Sequence, residues 1–455
     1  MPGGLRRIGL KELPEARSRA RDPEAEEAAS RIIADVAARG EAAVRIWAEK
    51  LDGLGREDPL VIGRAGLEAA LALLPPSERK LLEGARDRVL AFAKAQRAAL
   101  RDIDVAVPGG RAGHAFTPVA RAGCYVPGGR FPLPSSAIMT VCAAKAAGVA
   151  SVWCAGPRPS PATLAAAALC GADGFLAAGG AQGIAALALG AGVPPCDVVV
   201  GPGGRYAAAA KRLLAGVVGT EAPAGPSELL VIAGEGADAE VAAADLLAQA
   251  EHDVAAVPAI IVVADGSGGA GRAGAALDSD GFASRFSAAL DEALSRRLAE
   301  LPEPNRSVAA TALGNGWLLI ARDQAEAVEA AERFAPEHLE LLVPEARAWA
   351  ASIASAGAVF LGHGSAEVFG DYGAGPNHCL PTGGAARFSA GLSVLTFLRA
   401  RTWLEMGPEA RGPAADKLAR EAAELAREAA ALARIEGLEA HARAAEIRLI
   451  RKRDS

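Results

Sequence analysis

The sequence predicts an α/β protein of two doubly wound parallel-sheet domains, with helical extensions at its amino and carboxyl ends. Three observations carry this. The chain has 455 residues, more than one ordinary core organises. From about Ser135, short β-rich runs alternate with Ala/Leu-rich helical runs. The β-rich runs are nearly continuous in apolar residues, as strands of a parallel sheet covered on both faces must be.

In order along the chain, Ser151–Gly156, Gly174–Ala178 and Asp197–Val200 read as strands, with helices at Thr163–Leu169 and Ala181–Leu189 between them. A second series follows: strand Glu228–Ala233, helix Ala237–Glu251, strand Ala259–Val263, helix Phe282–Leu301, strand Trp317–Ile320, helix Gln324–Phe334 and strand Ala358–Leu361. Upstream, Glu24–Arg39 and Ser77–Leu100 read as helices. The uncharged run Gly174–Cys196 is broken by Gly179-Gly180 and Pro194-Pro195, so it reads as strand, turn and helix in a core, not as a membrane span. Asp265–Ala275 is too glycine-rich to order itself and reads as a surface loop. In the tail, Leu418, Leu425 and Leu432 recur every seven residues with Ala422 and Ala429 between them. That stripe is either core packing or a subunit interface.

Aromatic residues make up 4% of the chain and apolar residues 51%, so small side chains and closely approaching backbones do much of the packing. A formal charge of −6 argues against a nucleic-acid binder. The short patch Arg448, Lys452 and Arg453 reads as solvated surface. Six cysteines without CxxC spacing, and no signal peptide ahead of them, read as reduced, partly buried thiols of a cytoplasmic protein.

Several constellations carry chemistry. Gln249 and His252, spaced i, i+3 near a helix end, can reach one cation from one helix face, though a lone His there is more often a cap or a surface residue. Glu337 and His338 put two proton carriers in one turn; the bland alternative is an exposed acidic loop. Asp371, in FGDYGAGPNH after strand Ala358–Leu361, is a candidate metal ligand, since loops at strand carboxyl ends form the ligand crevice of a parallel sheet. Glu436 and His441 lie near the end of the tail helix and could complete a partner's site if the Leu/Ala stripe packs across a dimer. Three glycine-rich turns, Tyr125–Gly129, Gly179–Gln182 and Gly201–Gly204, suit a pyrophosphate at a helix N-terminus. None matches GxGxxG with a downstream acid for a ribose, and each could be a plain tight turn.

Singly these signals are weak; their order is not. The succession CYVPGGRFPLPSS, GGAQGIAALALG, VVVGPGGRYAAAAKR, APAGPSELLVIA, DLLAQAEHD, APEHLEL, GDYGAGPNHCLPTGGAARFSAGLSV and EGLEAHA closely resembles the histidinol dehydrogenase family from about Cys124 to His441. The resemblance implies incompletely Rossmann-like domains. On this reading residues 1–29 are an N-terminal helical extension, and 30–115 with 232–385 form a discontinuous first α/β domain. Residues 116–231 form the NAD-binding second domain, and 386–455 a helical dimerisation tail.

The resemblance also implies one zinc ion per subunit, held by Gln249, His252, Asp371 and His441, which binds the imidazole and amino groups of L-histidinol. His338 matches the general base and Glu337 the residue that activates water on the aldehyde. Ser227, His338 and Glu436, with the four zinc ligands, match substrate-contacting positions. Tyr125, Gln182 and Gly204 match NAD-contacting positions. The implied reaction is the NAD-linked four-electron oxidation of L-histidinol to L-histidine through L-histidinaldehyde, at the end of histidine biosynthesis. The implied assembly is a homodimer in which Glu436 and His441 serve the neighbour. One departure stands out: the family has Asn where this chain has Gly204, so a contact to NAD is absent or comes from Arg205 or Tyr206. His378 lies in a motif but receives no role, and His114 and His363 match none.

Three rivals remain. A paralogue oxidising another polar alcohol, such as a sulfonated diol, would keep the zinc ligands and Glu337–His338; retention of Glu436 and GPNHCLPT favours histidinol. A metal hydrolase would not need the glycine-rich α/β units or Gln182. A non-catalytic binding protein would have lost some of the site residues, and all are present.

Overall fold

The computed structural model describes residues 4–13, 22–128, 132–221, 225–264, 281–407 and 413–450. The expected loop Asp265–Ala275, Gly129 of the first glycine turn, and Lys452 and Arg453 lie outside them. In chain order the strands are β1 (Arg6–Ile8), β2 (Val61–Gly63), β3 (Ile103–Val107), β4 (Gly110–Pro118) and β5 (Arg121–Tyr125). Next come β6 (Ser151–Ala155), β7 (Gly174–Leu176), β8 (Val198–Val200), β9 (Gly219–Thr220) and β10 (Glu228–Ala233). The last five are β11 (Val257–Val263), β12 (Trp317–Ala321), β13 (His338–Leu342), β14 (Ala358–Leu361) and β15 (Leu398–Met406).

Two compact units emerge: residues 1–96 with 119–397, and residues 97–118 with 398–455. The first holds two six-stranded sheets, ordered β1-β12-β11-β10-β13-β14 and β2-β7-β6-β5-β8-β9. We call them the first and second sheet. The first is parallel throughout. The second is parallel except where β2 runs against β7. In each, the chain steps outward over three strands, then returns to the starting strand's other side. The order therefore reverses between β10 and β13 and between β5 and β8, the doubly wound pattern. Strand β10, Glu-Leu-Leu-Val-Ile-Ala, is buried at every position, because helices cover both faces of its sheet. One face packs Leu229 and Val231 against Leu246 and Leu290; the other packs Leu230 and Ile232 against Phe334 and Trp349.

Three expected boundaries change. Residues 1–29 include a strand, because Arg6–Ile8 extends the first sheet beside β12. Residues 30–115 do not join 232–385 as one domain. Ile32, Val36, Ala43 and Val44, from the helices Pro23–Arg39 and Glu41–Trp47, bury against Ile184 and Leu187 of the second sheet's layer, and β2 pairs there too. An amphipathic helix announces that it needs an apolar partner but not which of two similar sheets supplies it.

The tail 386–455 is not wholly helical either. In the second unit β15 pairs with β4, and β4 with β3, as an antiparallel sheet. Two helices, Pro413–Ile435 and Glu439–Ile450, complete that unit. Its strands are largely exposed, so they lack the continuous apolar run that marked the others. Among its described residues only Ala430 and Ala442 are buried apolar side chains, while Trp403, Leu404, Leu425, Leu432 and Ile435 are exposed. A unit of this size with so little interior has apolar surface left to cover.

All six cysteines are buried and free. No described helix is long and apolar enough to cross a membrane.

Candidate functional site

The reactive side chains gather at the amino edge of the first sheet, not at its carboxyl edge. Glu337 and His338, expected in a turn, enter β13: His338 is its first residue and pairs with Leu229. Both are buried, which removes the exposed-loop alternative. Ser227 immediately precedes β10. The helix Ala239–His252 runs back antiparallel to β10, so its carboxyl end delivers Gln249 and His252 to the same edge. After β14 the short helix Glu367–Asp371 brings Asp371 to His252, Nε2 to Oδ2 3.6 Å.

Ser227 Oγ donates to Glu337 Oε2 at 2.7 Å, and the Glu228 N–H donates to the same oxygen at 2.9 Å. With its amide nitrogen turned to Glu367, Gln249 donates to the two Glu367 oxygens at 2.7 and 3.0 Å, and its oxygen lies 2.7 Å from Ser227 Oγ. His338 Nδ1 is 3.1 Å from the Glu228 carbonyl and 3.4 Å from Glu367 Oε1. A carbonyl only accepts, so Nδ1 carries the proton and Nε2 keeps a free lone pair.

Burial pushes the Glu337 carboxyl up to about 7, against the hydrogen bonds from Ser227 and Glu228 that favour its ionised form. Burial lowers His338 below its usual value, which keeps the imidazole neutral at pH 7. The site therefore holds two bases whose environments move them toward neutrality from opposite sides.

His252, Glu367 and Asp371 each place a ligand atom within 4.8 Å of the others, with Gln249 hydrogen-bonded to Glu367. Imidazole nitrogen and carboxylate oxygens form a mixed donor set that suits zinc. Glu367 received no role from the sequence; its signal is the i, i+4 spacing to Asp371, which puts both on one helix face. His378 was also passed over. It is hydrogen-bonded through Nδ1 to the Asp371 carbonyl at 3.0 Å and lines the same cleft as His338.

That cleft, about 200 Å³, runs between this edge and the carboxyl edge of the second sheet, whose turns contribute Pro127, Pro202 and Gly203. A larger cavity of about 1050 Å³ opens beside it and shares His252, Asp371 and Tyr372. The glycine turns follow β5, β7 and β8. Gly201 has φ +119°, and a Cβ there would sit 2.0 Å from the Tyr125 carbonyl, so only glycine fits.

Tyr125 ends β5, and its Oη accepts the Gly180 N–H at 2.8 Å. Gln182 is buried, its Nε2 held by Asp52 at 2.9 Å and its Oε1 without a partner. Gly204 caps the helix Arg205–Leu213 without a side-chain bond. Arg205 grips Asp22 and Glu24, which occupies one proposed substitute for the missing Asn; Tyr206 is exposed. Glu436 and His441 belong to the second unit, where both are exposed.

The geometry meets the comparisons at this point. The profile of the family described as "Histidinol dehydrogenase" matches residues 15–449. A histidinol dehydrogenase of Dechloromonas aromatica is 40% identical over 92% of this chain and 91% of its own length. A sulfopropanediol 3-dehydrogenase of Ruegeria pomeroyi is 37% identical over the same shares. Among solved structures, histidinol dehydrogenase from Elizabethkingia anophelis superposes with a TM-score of 0.84 at 26% identity, covering 98% of each chain. With a match across nearly its whole length and the doubly wound fold in common, the chain belongs to the histidinol dehydrogenase family of oxidoreductases.

Proposed function

We propose that the protein is a zinc-dependent, NAD-linked histidinol dehydrogenase that oxidises L-histidinol through L-histidinaldehyde to L-histidine. The observation that carries this is the Glu337–His338 pair at the amino edge of the first sheet, one acid raised to about 7 and one imidazole kept neutral. His338 Nε2 takes the hydroxyl proton as hydride leaves the carbinol carbon. Glu337 takes a proton from the water that adds to the aldehyde, and Ser227 and the Glu228 N–H hold its carboxylate in place. Gln249, His252 and Asp371, with His441, would hold the zinc ion. Glu367 fixes the Gln249 amide, and Ser227 and Glu436 orient the substrate. When bound, zinc would supply a Lewis-acidic anchor for the substrate's imidazole and amine, and NAD would supply the hydride acceptor.

For NAD the fit rests on the second sheet's carboxyl edge: backbone too tight for a Cβ at Gly201, and the orphaned Gln182 oxygen. The coreless second unit supports a homodimer in which apolar residues such as Leu425 and Leu432 are covered and His441 serves the neighbour. We place the reaction in the cytoplasm.

A second reading has support from the 37% identical sulfopropanediol dehydrogenase: the same machinery acting on a sulfonated diol. The purified, zinc-loaded enzyme separates the two. Two NADH per L-histidinol, lost on chelation and restored by zinc, is the expected result. No turnover of histidinol by a dimer that binds zinc and NAD, with turnover of a sulfonated diol, overturns it.

A further inference from the structure

Where a dinucleotide lies on a doubly wound sheet, an acid at the end of the second strand conventionally holds the adenosine ribose. In the second sheet β5, β6 and β7 are the first three strands of that winding. The turn after β6 reads Gly156-Pro157-Arg158 and offers no acid. The structure brings one from far upstream. Asp52 closes the helical segment Ala48–Asp52, and its Oδ2 accepts the Gly179 N–H at 2.8 Å and Gln182 Nε2 at 2.9 Å. A Cβ on Gly179 would lie 2.8 Å from the Pro157 ring and 2.9 Å from Asp52 Oδ1. The carboxylate therefore stands where the turns after β6 and β7 touch.

We infer that Asp52 is the acid that holds the adenosine-ribose hydroxyls of the dinucleotide and sets the preference for NAD over NADP; the inference rests on the NAD-linked reading above.

Three features favour a diol as the ligand. Oδ1 of Asp52 receives no hydrogen bond among the described residues, because both bonds go to Oδ2. Gln182 is 1% exposed, and its Oε1 has no partner; that oxygen sits 3.3 Å from where a Gly180 Cβ would be, on the same turn. Two acceptors therefore wait without donors, and a ribose presents two adjacent O–H donors. The turn is also closed to a phosphate, since the Gly179 and Gly180 N–H groups are already taken by Asp52 and Tyr125. The motif GGAQ, read from sequence as a pyrophosphate cradle, is thus better suited to neutral hydroxyls. A 2′-phosphate here would face a carboxylate and an unpaired amide oxygen.

The test is calorimetric binding to the intact zinc-loaded enzyme, comparing NAD, its 2′-deoxyadenosine analogue and NADP in wild type and Asp52→Asn. Hydrogen bonds to a charged acceptor predict that wild type loses about ten- to a hundredfold in affinity when the 2′-hydroxyl is removed. Asp52→Asn should weaken NAD by a similar factor, respond little to the missing hydroxyl, and narrow the gap between NAD and NADP. In turnover, its KM for NAD should rise by more than its kcat falls. A wild type indifferent to the 2′-hydroxyl overturns the inference without any variant. So does an Asp52→Asn enzyme that still loses the wild-type factor on 2′-deoxygenation, because Asp52 would then only brace the Gly179–Gln182 turn. A wild type that binds neither dinucleotide sinks the NAD-linked reading itself, which is a separate result.

Discussion

The two six-stranded sheets share a winding order, yet they meet the cleft with opposite edges and different materials. The second sheet presents its carboxyl edge, built of glycine turns and backbone. The first presents its amino edge, crowded with titratable side chains: Glu337, His338, Glu367 and Asp371, with Glu340 and Asp245 behind them. On the proposed function, the contrast follows from what each edge would do. A flat, polyhydroxylated cofactor needs close backbone approach, which side chains obstruct. Proton transfer needs acids and bases desolvated to neutrality, which requires burying charge.

The sharpest way to break this division is His338→Asn. The first sheet's edge should lose the chemistry while the second keeps the cofactor: kcat falls by about 10²- to 10⁴-fold, with NAD affinity by calorimetry unchanged. A variant that turns over normally would remove the amino edge from the reaction.

The next largest effect is one of pH. In the proposed role Glu337 must be ionised to take a proton from water, and burial pushes its carboxyl up to about 7. Formation of the second NADH should therefore fall about tenfold per pH unit below that value, as the carboxyl becomes protonated. Glu337→Gln should abolish both the step and its pH limb. A flat second step between pH 5 and 8 in the wild type would assign water activation to another group.

Sequence legibility divided along the same line. Strands β10, β11, β12 and β14 are readable because each is a largely apolar run, whereas β1 and β13 carry Arg6, Arg7, His338 and Glu340 and do not read as strands; Gln249–His252 and Glu337–His338 are visible as pairs in local spacing. What local spacing cannot carry was missed. Glu367 has a local signal only in its i, i+4 spacing to Asp371, and its contacts with Gln249 and His338 come from the fold. Asp52 lies 127 residues before the glycine whose N–H it accepts, so no motif could contain both. The helix Pro23–Arg39 was visible as a helix, but the sheet it covers was not. The strands β3, β4 and β15 were lost because a half-exposed antiparallel sheet has no continuous apolar signature. Motif order identified the family, whereas the side chains that hold those motifs in place came from the fold.

A smaller effect concerns stability. Glu340 lies two residues along β13 from His338; burial, and the neighbouring Asp245 carboxyl, push it up to about 9. The unfolded chain releases that proton near 4.5, so its favourable contribution is complete below pH 4.5 and lost as pH climbs toward 9. Glu340→Gln removes the penalty. It should stabilise the protein at pH 8 and scarcely at pH 4.5, as denaturant melts at the two values will read. An equal gain at both would mean that Glu340 is ionised in the fold.

The smallest effect probes the second sheet's edge. Gly204 opens the helix Arg205–Leu213 with extended ψ (φ −64°, ψ 177°) and no side-chain cap, and a Cβ there meets nothing within 4 Å. An Asn fits that space and that backbone. It should cap the first turn for a gain of a few tenths of a kcal/mol over glycine, since its side-chain oxygen can accept an N–H of that turn. If this turn also faces the cofactor, Gly204→Asn should tighten NAD as well, because the amide then has a second partner. A gain in stability with no change in NAD affinity would separate the two. The helix start would then be only a cap, and the cofactor's contacts at this edge would rest on the turns after β5 and β7.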